Sequence, residues 1–271
     1  MVTQEQRRRQ LAREKFLRQQ QRRTEARQKA KVRNSVIASV LGVVLVGSLA
    51  LYTTGVMKDD KDDKANASAT ADPTPSAVKD PCEKPAEGKV KTQTWKKEPA
   101  VTIDKSAKYT MKLATTCGDI DVALNAAAAP HTVNSFHHLA GKGYFDHTKC
   151  HRLTTNGIYV LQCGDPTGSG SGGPGYTIPD ENLKDKSLKG GVYPAGTVAM
   201  ANTGQPHSGG SQFFLVYQDS QLPPSYTPFG TVSESGMTVL KKIAAAGENT
   251  GAGDGAPNAT VVIDKATVTK S

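Results

Sequence analysis

Residues 34–57, "NSVIASVLGVVLVGSLALYTTGVM", run for 24 positions without a charged side chain, and a chain carrying such a stretch must bury it somewhere. As a helix rising about 1.5 Å per residue it would measure about 36 Å, more than the roughly 30 Å of a bilayer's hydrocarbon core. The flanks decide between a membrane span and a buried core helix. Residues 1–34 hold twelve Lys or Arg against three Glu, which accounts for the whole formal charge of +9, and "KDDKDDK" follows the run. Charge at both ends suits a span. The basic region is too long for a secretory signal, and no A-x-A site follows the apolar residues. The excess of Lys and Arg before the span places the N-terminus in the cytoplasm. The expected protein is therefore single-pass in the cell membrane, with residues 1–33 a basic cytoplasmic tail, 34–57 a transmembrane helix and the rest extracytoplasmic. Anionic lipid is the expected partner of the tail. Nucleic acid is not, because the basic charge belongs to a tail and not to a folded face.

Beyond the run, residues 58–94 are rich in Asp, Lys, Ala, Ser, Thr and Pro, as in "ANASATADPTPSAVKDP", and read as a disordered linker. Trp95, the only Trp, is expected to pack on the following domain as its lead-in, so the domain is set at 95–271. Within it "YTMKLATTCGDIDVAL" reads as two alternating strands about a Thr-Cys-Gly turn, and "PHTVNSFHHLAGKGYF" as a helix opened by Pro130 and closed by Gly141 or Gly143. "KCHRLTT" and "IYVLQCGD" are strands joined through Asn156-Gly157, a hairpin signal. "GTVAMAN", "SQFFLVYQ" and "ATVVIDKATVTK" are further strands, and "GMTVLKKIAAAG" is a second helix. Many short strands with two helices predict a mainly β fold, a barrel with helices as lids.

Three familiar chemistries are excluded. Residues 168–173 fit the G-x-G-x-x-G pattern, but Pro174, Gly175 and Pro179 follow, so no helix can present its N-terminus to a pyrophosphate. The segment reads as a mobile loop, and no cofactor is expected. Of six His, only His137 and His138 are adjacent, and neighbours on a helix diverge by about 100°, so no metal site is expected. Cys150 and His151 face opposite sides of a strand and cannot form a nucleophile and base. Four Cys in an oxidising compartment favour disulfides, with three connectivities open. If Arg152 and Gln162 share a face, parity puts Cys150 and Cys163 on opposite faces, so a bridge between those two requires a bulge.

What remains is a guanidinium and amides beside an apolar wall. Val160 and Gln162 share one strand face, as do Gln212 and Phe214, and Arg152 faces away from His151. In this order "CHRLTT", "LQCGD", "DEN", "MAN", "GGSQFF" and "PFG" resemble the cyclophilin family of peptidyl-prolyl cis-trans isomerases, over about 160 residues from Tyr109 to the C-terminus. The anchor and linker resemble membrane-tethered, actinobacterial-type members. The resemblance implies a closed eight-stranded β-barrel capped by two α-helices, here preceded by one transmembrane helix. It implies isomerisation of X-Pro bonds in extracytoplasmic protein folding by a monomeric domain without a cofactor, with proline-containing polypeptides as substrates. Carried over residue by residue, Arg152 is the catalytic Arg and Gln162 orients it. Tyr159, Val160, Phe214 and Leu222 form the proline pocket, Asn202 binds the substrate backbone, and Gln212 supports the groove. Tyr226 stands where the family has a His, and Gln221 where cyclosporin-sensitive members have a Trp. The hairpin between Arg152 and Gln162 is two residues longer than the family pattern. The competing reading is a non-catalytic module that binds proline-containing segments or acts as a chaperone.

Overall fold

The computed structural model describes residues 80–271. The expected tail, transmembrane helix and the first part of the linker lie outside them. Among the described residues no helix is long and apolar enough to cross a membrane.

Chain order runs β1 (Tyr109–Thr115), β2 (Gly118–Leu124), α1 (Pro130–Gly141), β3 (Thr148–Lys149), β4 (Arg152–Thr154), β5 (Val160–Cys163), β6 (Val192–Tyr193) and β7 (Thr197–Met200). It continues with β8 (Phe213–Val216), β9 (Ser220–Gln221), β10 (Pro228–Val232), α2 (Glu234–Ala245), β11 (Asp254–Gly255) and β12 (Val262–Lys270). Ten strands form one curled sheet in the order β11-β4-β5-β8-β7-β10-β2-β1-β12-β3, and β6 pairs with β9 apart from it. The mainly β class and both helices are as expected. The closed eight-stranded barrel is not: among the described residues the sheet has ten strands and no ladder joins its two ends. The reason lies in "KCHR". The Cys150 amide donates to the Val261 carbonyl (2.9 Å) and the next amide, His151, donates to the Gln162 carbonyl (3.1 Å). One chain thus crosses the seam, leaving β12's side for β5's, where a closed barrel would have a strand pair.

That crossing also settles one disulfide. Because β3 and β4 are not one continuous strand, the parity argument separating Cys150 from Cys163 lapses at the break, and the two are bridged with their Cα atoms 4.1 Å apart. The second bridge joins Cys82 to Cys117. Cys82 lies in a stretch the sequence reading assigns to the linker, yet here it is held on the domain. The Glu83 amide donates to the Thr116 carbonyl (2.8 Å) and the Ala86 amide to Asp264 (3.0 Å). Trp95 packs as a lead-in, edge-on to His138 and tilted against Tyr144 at centroid distances of 5.3 and 5.8 Å.

The core forms where α1 packs against the sheet. Val133, Phe136 and Ala140 recur at the helical spacing that makes one apolar stripe, and all are buried. Phe136 sits among Phe145, Phe213 and Phe229 at 5.2, 5.4 and 4.7 Å between ring centres. Pro130 opens α1, where its missing N–H costs nothing. The residue ahead of it, Ala129, offers no cap. Glu181 of the "DEN" stretch supplies one instead, its carboxylate accepting from the amides of His131 (3.0 Å) and Thr132 (2.9 Å). A carboxylate there answers both the orphan donors and the positive end of the helix dipole, and it ties the far end of the Gly-rich excursion to the core.

The excursion itself is ordered by one side chain, contrary to the expected mobile loop. Asp165, fully buried, accepts from the amides of Thr167 (2.7 Å), Ser169 (3.0 Å), Gly170 (2.6 Å) and Gly172 (3.1 Å) and from the Thr167 hydroxyl (2.8 Å). Burial works to raise its pKa, but the bonds from Thr167 and the loop amides outweigh it and lower it to about 2. The glycines here are the price of wrapping a chain round a carboxylate. A Cβ on Gly172 would strike that carboxylate.

Candidate active site

Strand register places the site residues in one row. Arg152 of β4 is directly opposite Gln162 of β5, Gln162 is opposite Phe214 of β8, and Phe214 is opposite Ala199 of β7. Directly opposed residues of an antiparallel pair share a face, so a guanidinium, an amide and a phenyl ring line up across adjacent strands with their side chains on the same side. Val160, two residues before Gln162, joins that face.

The polar end is a chain of hydrogen bonds. Arg152 Nη1 donates to Gln162 Oε1 (3.1 Å), Gln162 Nε2 donates to Gln212 Oε1 (2.9 Å), and Gln212 Nε2 donates to the Gly172 carbonyl (2.9 Å). Each Gln passes on the orientation of its neighbour, so the ordered loop around Asp165 fixes the last link. On its other edge Arg152 makes a two-pronged ion pair with Asp254, Nε to Oδ1 at 2.7 Å and Nη2 to Oδ2 at 2.8 Å. That pairing raises the pKa of Arg152 against the opposing effect of burial. Asp254 was missed by sequence reasoning. It arrives on β11, the outermost strand, opposite Thr154, and nothing in "GAGDGAP" marks it as the partner of an Arg 102 residues earlier.

The apolar end is a small pocket of about 190 Å³ beside the guanidinium, walled by Val160, Phe214, Leu222, Tyr226 and Ile158, with Ala201 and Asn202 along its rim. Phe214 and Tyr226 meet edge to face at 5.3 Å. The Tyr193 hydroxyl donates to the Tyr226 carbonyl (2.8 Å) and fixes that turn. Beneath it a cluster of Val160, Leu188, Tyr193, Ala199, Phe214 and Val216 forms a core of its own, separate from the one around Phe136.

Eight of the nine residues singled out from the sequence meet here. Arg152, Gln162, Val160, Asn202, Phe214, Leu222 and Tyr226 line the pocket, and Gln212 stands next to it through its bond to Gln162. Tyr159 does not. Its ring lies against Tyr217 at 5.9 Å and packs on the main core, while Ile158 takes the place in the pocket. Period-two alternation from Val160 puts Ile158 on the groove face and Tyr159 on the other. The longer hairpin had displaced the match by one residue. Asn202 borders the pocket with its side chain already engaged. Its side chain donates to the Ser225 carbonyl (2.7 Å) and accepts from the Gly204 amide (3.0 Å), so it holds the groove wall. Gln221 points away, donating to the Gly190 carbonyl (2.7 Å). His151 is turned from the groove toward the Gly-rich loop, and burial lowers its pKa.

Comparison with known proteins finds a family model and relatives that match the chain. A family model described as cyclophilin type peptidyl-prolyl cis-trans isomerase/CLD matches residues 110–268. The chain is 49% identical over 200 residues to a probable peptidyl-prolyl cis-trans isomerase B of Mycobacterium leprae, covering 70% of this chain and 63% of that protein. It is 44% identical over 199 residues to the protein of the same description from Mycobacterium tuberculosis, covering 70% and 60%. The match thus spans less than two thirds of either relative's length. Among solved structures, a cyclophilin type isomerase of Cryptosporidium parvum, crystallised in the presence of the dipeptide Ala-Pro, superposes with a TM-score of 0.50 at 27% identity, over 60% of this chain and 99% of that one.

Proposed function

The chain belongs to the cyclophilin type peptidyl-prolyl cis-trans isomerase family, and on that footing we propose that its folded domain accelerates rotation about X-Pro bonds in polypeptides. The observation that carries this reading is the position of the Arg152 guanidinium at the edge of an apolar pocket, in register with Gln162 and Phe214. Rotation breaks amide resonance against a barrier of about 18–20 kcal/mol and takes tens of seconds or more unaided. As the bond twists, the prolyl nitrogen becomes pyramidal and gains a lone pair that the planar amide lacks. A donor aimed at that nitrogen acts mainly in the transition state, which is the kind of interaction that raises rate. Three of Arg152's five N–H groups are taken up by Asp254 and Gln162, which leaves one on each Nη for a substrate. The fixed guanidinium needs no reorientation when the lone pair appears. Lowering the barrier by about 7 kcal/mol would give roughly five decades of rate.

Val160, Phe214 and Leu222 would grip the proline ring, and the main chain at Asn202 would meet the substrate backbone, since its side chain is already engaged. A module that only binds needs the apolar wall and has no use for a guanidinium held from both sides, which favours the enzyme. The test is isomerisation of a short X-Pro peptide by the full chain, with peptide affinity measured alongside. Acceleration is expected. Saturable binding with an unchanged isomerisation rate would replace the enzyme by the binding module.

We further infer that the domain works outside the cytoplasmic membrane, anchored through residues 34–57. The basic tail ahead of an uncharged run supports this, as do two disulfides and no free Cys among the described residues, since such bridges persist in oxidising compartments. Protease added to intact, wall-stripped cells should cut between residues 58 and 79 and release the domain. Protection of that stretch until the membrane is lysed would overturn the topology.

A further inference from the structure

Beside the proline pocket lies a second, larger cleft of about 990 Å³, and the two share Gln162, Ala201 and Asn202 along their common border. A polypeptide seated with its proline in the small pocket and running across that border would place a side chain within a few residues of the proline in the cleft. Glycines 170, 172, 173 and 175 form one side, which explains the room available. Above them runs a strap of chain carrying Lys96, Lys97 and Glu98, all of which line the cleft.

The strap is fixed at both ends. The Trp95 amide donates to the Pro174 carbonyl (2.8 Å), and the approach is so close that a Cβ on Gly175, whose φ is +86°, would come 2.7 Å from the Trp95 carbonyl oxygen. On the far side the buried Asn134 donates to the carbonyls of Pro99 (3.2 Å) and Ala100 (3.1 Å). The two lysines are thus carried between anchors. Glu98 is taken up by His131 Nδ1 at 2.6 Å. Among the described residues neither Lys96 nor Lys97 has a carboxylate within ion-pair distance, so within that part of the chain both basic residues border the cleft without a counter-charge. The family match begins at residue 110, so the strap lies ahead of it.

We propose that Lys96 and Lys97 make this cleft a subsite for an acidic side chain, so that the protein favours X-Pro segments with Asp or Glu close to the proline. The proposal rests on the isomerase reading and names a substrate class for it. Both lysines are exposed, so the attraction is of the surface kind. It is about threefold to tenfold between Glu and Lys peptides at low ionic strength, and fades as the screening length shrinks to about 3 Å near 1 M salt.

The test uses the full chain and two series of Ala-Pro peptides, with Glu, Gln or Lys placed one to three residues before or after the dipeptide. Both kcat/KM and affinity are measured for each. A preference for Glu over Lys is expected in the series that runs into the cleft, and K96Q/K97Q should bring the ratio toward one while the thermal midpoint stays. No preference in either series, or one that survives K96Q/K97Q and so belongs to the basic residues 1–34 or another surface, would overturn the proposal. Failure of every peptide to turn over would count against the isomerase reading instead, and the affinity ratios would still decide the subsite.

Discussion

Replacing Arg152 with Ala is expected to lower kcat and kcat/KM together, by roughly 10- to 150-fold for one charge-assisted hydrogen bond worth about 1.5–3 kcal/mol, and by more if the groove excludes water around the substrate. The two constants fall by similar factors because the guanidinium acts on a lone pair that the ground state does not have. Peptide affinity should change little, since Val160, Phe214 and Leu222 remain. Folding should survive as well. The Arg152 side chain is 37% exposed and Asp254, its partner, 55% exposed, so water can take over the carboxylate that loses its ion pair. Isomerisation rate, affinity and thermal midpoint of the variant decide the matter. An unchanged rate, or loss of activity only because the chain unfolds, would remove Arg152 from the mechanism.

Phe214→Ala is expected to act on the opposite constant. Loss of an aromatic anchor at a binding site costs about 2 kcal/mol or more, so KM should rise by roughly 30-fold with a smaller change in kcat. Phe214 is also 5% exposed and packs against Tyr226 and Tyr193, so the variant should lose stability within the roughly 3–5 kcal/mol typical of buried Phe→Ala changes, nearer the lower end because one side of the ring faces the groove. Its neighbour gives the control. Phe213 points into the other core, edge to face with Phe136 and Phe145, and Phe213→Ala should cost stability with little effect on KM. If the two variants exchanged these effects, the assignment of the strand's faces would be reversed.

That assignment came from alternation alone. Val160 with Gln162, and Gln212 with Phe214, share faces because a strand repeats every two residues, and this holds whatever the rest of the chain does. Pro130 opening a helix and Asn156-Gly157 closing a hairpin are equally local, each set by what a few backbone dihedrals allow. Where a match to a family pattern displaced local reasoning, it misled: Tyr159 was placed in the pocket over a lengthened hairpin, although parity from Val160 points to Ile158.

The amino-acid sequence by itself therefore determined both helices and most of the longer strands, the sidedness of the groove residues and the ordered set that marks the family. Tertiary structure alone decided which distant residues meet. Asp254 reaches Arg152 across 102 residues, Cys82 chooses Cys117, and Asp165 gathers four amides of its own loop into a floor that orients Gln212. The seam at Cys150 and His151 that leaves the barrel open belongs with them. The physical reason is one of range. Periodicity and turn chemistry are energies of adjacent residues, readable where they stand. Register between remote strands, and the loops hung from them, is settled by the sum of packing over the whole domain, to which no short stretch holds the key.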